Sequence, residues 1–222
     1  MNGTNFSKCW KRIKSAASSL LFGRVETCIV CGRDIPEGAV CPKCAQELRR
    51  HWRPQKEMQN GRALYSCYAY GGSVRTLVLR YKMQGRPWLA DALAEPMADL
   101  LLAHEERFWL ITYVPLSARR QAWRGYNQAE LLAREIGRRM NLPVAPLLRR
   151  ARKTKVQSRL SAQKREENLK GAFALEEGAE LMAGQRILLV DDIATTGATL
   201  RECGAVLEQA GASVAAAVFA RA

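Results

Sequence analysis

The sequence predicts an α/β fold, a mainly parallel sheet flanked by helices, with a small N-terminal four-cysteine knuckle. Three observations predict it. Apolar runs suited to strands buried on both faces alternate with stretches of helical spacing. One such run, Ile187 to Val190, passes into Asp191-Asp192 and a hydroxyl-rich, glycine-bearing turn before a helix reads from Leu200 to Gln209. Four cysteines fall as Cys28-x2-Cys31 and Cys41-x2-Cys44, a spacing that aims two pairs of thiolates at one point.

Along the chain, residues 1–24 form a basic extension. Lys8, Lys11, Arg12 and Lys14 precede the apolar stretch Ala16 to Phe22, a faint imitation of a signal peptide. The apolar part is short, Ser18 and Ser19 break it, and no convincing cleavage site follows. A frayed or amphipathic helix is expected there, with a weak membrane-surface helix as the alternative. Residues 25–60 form the knuckle and a linker, with Ala45 to Trp52 a short helix. Arg53 to Arg62 is polar, holds Pro54, Asn60 and Gly61, and reads as the linker.

Residues 61–222 form the main domain. Ala63 to Tyr70 alternates and is aromatic, which predicts a strand that Gly71-Gly72 breaks. Ser73 to Gln84 has helical spacing, closed by Gly85. Trp88 to His104 is a second helix with a kink or restart at Pro96. Trp109 to Val114 is a buried strand ending at Pro115. Asn127 to Met140 is a helix entered through Arg124-Gly125-Tyr126. A short strand is expected around Val144, another over Ala172 to Leu175, and a last one from Ser213 to Ala220.

The knuckle suits tetrahedral zinc. Four thiolates leave no open coordination position, so the metal is expected to be structural. Two disulfides or four free thiols are the competing readings, and a reducing cytoplasm argues against disulfides. The remaining three of the seven cysteines are isolated. Of these, Cys67 and Cys203 read as small core residues.

The strand that ends in a polar turn opening a helix builds an anion site. Unpaired N–H groups of the first helical turn point at the ligand and the helix dipole favours negative charge. Thr195, Thr196 and Thr199 add hydroxyls, Gly197 lets the backbone approach closely, and Ala198 lies in the same turn. Asp191 and Asp192 beside a phosphate site make sense if they accept hydrogen bonds from sugar hydroxyls. A 5-phosphorylated ribose has that shape. An ordinary buried strand ending in a solvated Asp-Asp turn is the competing reading.

A second strand-end loop holds Pro115, Leu116, Ser117, Arg119, Arg120 and Arg124, a set that could embrace a diphosphate. Leu148 to Phe173 carries nine Lys or Arg residues against Glu166 and Glu167. It reads as a basic loop with a short helix from Ser161 to Lys170. A closing lid there would exclude water and bring positive charge to a leaving diphosphate. A charged, solvated helix is the alternative.

The formal charge of +14 favours anionic partners without choosing among them. No apolar stretch approaches the roughly 20 residues of a membrane span, so the chain is expected to be cytoplasmic. Neither histidine, His51 nor His104, falls in a motif, and no Ser–His or Cys–His arrangement is visible.

The string from Ile187 to Thr199 resembles the phosphoribosyl-diphosphate (PRPP) signature of type I phosphoribosyltransferases. Further segments extend the likeness: the cysteine knuckle, Tyr70-Gly71, Lys82 to Arg86, Val114-Pro115-Leu116, Arg124 to Ala133, Gln157, Arg165, Asn168 and Ala172-Phe173. Together they resemble the ComF/GntX family from about Cys28 to the C-terminus. The resemblance implies a type I phosphoribosyltransferase-like fold. It also implies binding of PRPP with Mg²⁺ and an association with DNA uptake in naturally competent bacteria. It places the ribose hydroxyls at Asp191 and Asp192, the 5-phosphate at Thr195 to Thr199 and the diphosphate near Pro115 to Arg119, with Lys82 and Arg124 as further candidates. An enzyme transferring a phosphoribosyl group to an unidentified acceptor is one expectation. A catalytically inactive factor gripping single-stranded DNA with basic loop and zinc knuckle is the other.

Overall fold

The computed structural model describes residues 26–59, 61–152, 168–179, 181 and 183–222. The basic extension and most of the expected lid, with its helix from Ser161, lie outside these. A five-stranded sheet forms the centre, in the order β3 (Trp52–Gln59), β4 (Arg62–Ala69), β9 (Ser213–Arg221), β8 (Arg186–Ala194), β5 (Leu110–Tyr113). Only the edge pair β3–β4 is antiparallel. Val144 adds a single parallel bridge to Ile111 of β5, less than the short strand expected there.

The central strands are apolar because both faces are covered. Ile187 to Val190 and Val218 to Ala220 have no accessible surface. Helices α3 (Leu89–Ala103) and α5 (Gln128–Met140) pack on one another and on the sheet, while α6 (Ala198–Gln209) packs against β8 and β9. The α3 helix runs unbroken through Pro96. Asn127 caps α5 by accepting from the Ala129 N–H at 3.1 Å, and Asn141 closes it in the left-handed region at φ 55°. Gly137 lets α5 pass close to the next segment, because a Cβ there would meet Val144 at 2.6 Å.

Two segments differ from expectation. Trp52–Gln59 is a strand and not a linker. Its edge position explains its polar sequence, since an edge tolerates Pro54 and charges that a central strand cannot. Ala118–Arg124 is a short helix, α4, where the sequence suggested a loop; Gly125 ends it at φ 79°. A small antiparallel pair, β6 (Leu148–Arg150) and β7 (Phe173–Leu175), brackets the basic segment. Arg152 donates to the Asn168 and Lys170 carbonyls and draws the two ends of that segment together.

Ahead of the sheet, β1 (Glu26–Thr27) and β2 (Asp34–Ile35) pair antiparallel and lead into α1 (Pro42–His51). This unit packs on α2 (Gly72–Met83), the helix that follows β4.

Candidate functional site

A cleft of about 320 Å³ opens at the carboxyl ends of β4, β5 and β8. Open parallel sheets bind ligands at that end. Tyr70 enters it after β4, Val114 to Leu116 after β5, and Asp191 to Leu200 from the end of β8 through the first turn of α6.

The strand does not stop at the acids, as the sequence suggested, but continues to Ala194. Successive strand residues project to opposite faces, and the partners match. Asp192 is 5% exposed and pairs with Lys82 of α2, Nζ to Oδ1 2.9 Å. Asp191 is half-buried on the other side, where it feels Arg150 and the buried Cys203 of α6. Its Oδ1 accepts from the Asp192 N–H at 2.8 Å. Burial, then the charge of Asp192, pushes its carboxyl up to about 7, with Lys82 pulling the other way.

The turn after β8 leaves the N-terminus of α6 open, a geometry that favours an anion. Gly197 sits at φ 72° at the N-cap of α6, and its side-chain-free Cα faces Gln59, whose Oε1 would lie 3.0 Å from a Cβ. No side chain caps the helix, and no acid lies in its first turn. Thr196 Oγ1 takes only a long bond of 3.4 Å from the Ala198 N–H. Arg201 donates to the Thr196 carbonyl at 2.7 Å and fixes the turn. Thr195, Thr196, Gly197, Ala198 and Thr199 all line the cleft.

The opposite wall is cationic. Arg120, Arg124 and Arg150 line it with Pro115 and Leu116. Arg124 donates to Gln128 Oε1 at 2.8 Å, and burial lowers the proton affinity of its guanidinium. Arg150 donates from Nε to the Pro115 carbonyl at 3.3 Å and lies 4.9 Å from the Phe173 ring centroid. Asn127 Nδ2 donates to the Val114 carbonyl at 3.1 Å, tying this loop to α5.

Of the residues singled out from sequence, Ser117 and Arg119 do not line the cleft. Ser117 precedes α4, and one step around a helix is about 100°, so Arg120 faces inward while Arg119 is exposed. Arg150 and Tyr70 were missed as site residues. Arg150 was lost among the other basic residues of its stretch, and only the β6–β7 pairing distinguishes it.

In the knuckle, the four Sγ atoms of Cys28, Cys31, Cys41 and Cys44 lie within 4.8 Å of one another and form no disulfide. Tetrahedral Zn–S bonds of about 2.3 Å require sulfurs about 3.8 Å apart, and Cys31 and Cys41 stand at 3.9 Å. The Cys41 N–H donates to Cys28 Sγ at 3.3 Å and the Cys44 N–H to Cys41 Sγ at 3.5 Å, contacts that orient the sulfurs. The cluster therefore fits a metal ion.

Parallel strands with crossover helices, and a strand-end cleft combining acids with a helix N-terminus, define a phosphoribosyltransferase-type fold. Residues 124–222 match the family model described as "Phosphoribosyl transferase domain". Competence protein F of Haemophilus influenzae is 31% identical over 83% of this chain and 85% of its own length. Competence protein ComFC of Bacillus subtilis is 26% identical over 86% and 75%. The chain belongs to the ComF family of phosphoribosyltransferase-like proteins. Among solved structures, an adenine phosphoribosyltransferase is similar over 81% of this chain and 89% of that one, at 18% identity and TM-score 0.43.

Proposed function

We propose that this protein binds PRPP with Mg²⁺ and transfers the phosphoribosyl group to a nucleophilic acceptor. One observation carries the reading: an acid pair and an uncapped helix N-terminus open onto the same cleft. The 5-phosphate would take the amides and hydroxyls of Thr195 to Thr199. Asp191 and Asp192 would accept from the ribose hydroxyls, with Lys82 holding the Asp192 carboxyl in place. The diphosphate would meet the Pro115–Leu116 backbone and the Arg120, Arg124 and Arg150 guanidinium groups. These charges stabilise the leaving group as the acceptor displaces it at the anomeric carbon. Two carboxylates beside phosphate oxygens suit a hard cation, and Mg²⁺ would neutralise charge on the departing diphosphate.

Structural zinc in the knuckle belongs to the same proposal, as does the association with competence carried in the names of the relatives. Free buried thiols fit a cytoplasmic setting. No helix among the described residues is long and apolar enough to cross a membrane.

Calorimetric titration with PRPP and Mg²⁺ tests the reading. Binding to the intact protein that disappears in Asp191→Asn/Asp192→Asn supports it; no heat with the intact protein refutes it. A screen of acceptors for diphosphate release then separates turnover from binding alone.

A second reading, a grip on single-stranded DNA, is favoured by one observation. Trp88 and Trp123 are 57% and 64% exposed, and Arg86 and Arg124 lie 5.8 and 5.9 Å from their ring centroids. Arg124 also lines the cleft. Stacking on such rings beside cations is how strands are held without sequence preference. Quenching of tryptophan fluorescence by an oligonucleotide at low salt, reduced in Trp123→Ala, supports this reading; no quenching removes it.

A further inference from the structure

Helix α2 lies between the cysteine knuckle and the acid pair. The knuckle touches it at both ends. At its start, the His51 ring of α1 sits under Gly71 and Gly72; a Cβ on either would come within 2.8 Å of that ring. Near its end, the Cys28–Cys31 turn closes on Arg80. The guanidinium donates to the Ile29 carbonyl at 3.4 Å, and a Cβ on Gly32 would lie 2.8 Å from Nη2. Both contact points hang on the four-thiolate cluster. Cys28 and Cys31 flank Ile29, while Cys44 lies in α1, seven residues before His51.

Arg80 and Lys82 are two residues apart, so they project from roughly opposite sides of the helix, about 200° around its axis. Tyr81 between them is fixed. Its hydroxyl donates to the Gln128 carbonyl at 2.7 Å, and its carbonyl accepts from the Tyr126 hydroxyl. α2 thus carries one contact to the knuckle, at Arg80, and one to the acid pair, at Lys82, whose Nζ lies 2.9 Å from Asp192 Oδ1.

We propose that α2 couples the knuckle to the acid pair, with Arg80 as a positioning residue that sets the Lys82–Asp192 contact. The site significance of this coupling rests on the reading of Asp191 and Asp192 as ribose ligands. The coupling itself is a statement about geometry. A metal in the knuckle would then have a consequence beyond stability: by holding Ile29 and His51 in place it would also hold the far side of α2.

Carboxyl ¹³C NMR titration of Asp191 reads the coupling without any ligand. Asp191 is faced by Asp192, Lys82, Arg150 and Cys203, and only the Lys82 contact should change. In Lys82→Ala the Asp191 midpoint should rise. In Arg80→Ala it should rise in the same direction by about 0.5 pH unit, roughly threefold in the protonation constant. Arg80→Lys should fall between Arg80→Ala and wild type. The double variant should move no further than Lys82→Ala, because Arg80 acts through Lys82. Metal content measured alongside shows that the knuckle is intact.

An Asp191 midpoint in Arg80→Ala and Arg80→Lys equal to wild type, while Lys82→Ala moves it, overturns the proposal. So do fully additive shifts in the double variant. In parallel, the affinity for PRPP·Mg²⁺ should fall about threefold to tenfold in Arg80→Ala. If wild type binds no PRPP, the proposed function fails, while the NMR series still decides the coupling.

Discussion

Asn127 donates from Nδ2 to the carbonyl of Val114 and accepts at Oδ1 from the amide of Ala129, both at 3.1 Å. One buried side chain thus starts α5 and fixes the loop that leaves β5. Replacing it separates the two roles. Asn127→Ala loses both and should cost about 1–3 kcal/mol in denaturant unfolding. Asn127→Ser keeps a cap and should cost less. Both should loosen Pro115 to Ser117, seen as faster amide exchange at Leu116 and Ser117.

The pH dependence of stability should carry the mark of Asp191. Its folded value, about 7, lies above the unfolded carboxylate value. The folded state therefore holds the proton that the unfolded state releases. This contribution is fully present below the unfolded value and is lost as pH rises from there through about 7. Asp191→Asn should flatten the stability profile across that window and be more stable than wild type above it. Urea midpoints measured from pH 4 to 8 test this, and a profile parallel to wild type contradicts it.

Glu106 is a buried hub at the opposite end of the sheet. It accepts from Lys56 at 2.7 Å, Arg186 at 2.6 Å and the Tyr65 hydroxyl. Burial alone would raise its carboxyl, but these partners hold it below the ordinary value. Its contribution is present above the unfolded carboxylate value and lost as pH falls through the folded one. Glu106→Gln should lower stability at neutral pH by about 1–3 kcal/mol and less in acid, with cleft residues unaffected.

Gly197→Ala should weaken anion binding and stability together. The residue lies at φ 72°, and an added Cβ would press on Gln59. The strain of a left-handed alanine is about 1–2 kcal/mol. Gln59→Ala in the same background should relieve the contact but not the backbone strain, so thermal unfolding should recover only partly.

The central parts of this architecture were legible because their local signals were strong and consistent. The β8 strand reads as a continuous apolar run, and α5 carries Asn at both ends. The knuckle has its ligand spacing. What was hidden depended on tertiary context. Trp52–Gln59 is polar because it is an edge strand, a fact set by β4 and not by its own residues. At Pro96 α3 does not restart but continues as one helix, with its neighbours buried. The swap of Arg119 for Arg120 turned on where α4 begins; Ser117, a residue type common at N-caps, stands there but makes no capping bond. Arg150 became a wall of the cleft only through the pairing of two three-residue strands that lie far apart in the chain.

The strand order has a consequence for how the molecule is assembled. β9, the latest of the five strands to be synthesised, occupies the middle, with β4 on one side and β8 on the other. Until residues 213–221 emerge, the β3–β4 hairpin and the β5–β8 pair are two open half-sheets with facing raw edges. A nascent chain stalled before Ser213 would expose both, and a chaperone or a cross-pairing neighbour would find them before the keystone arrives.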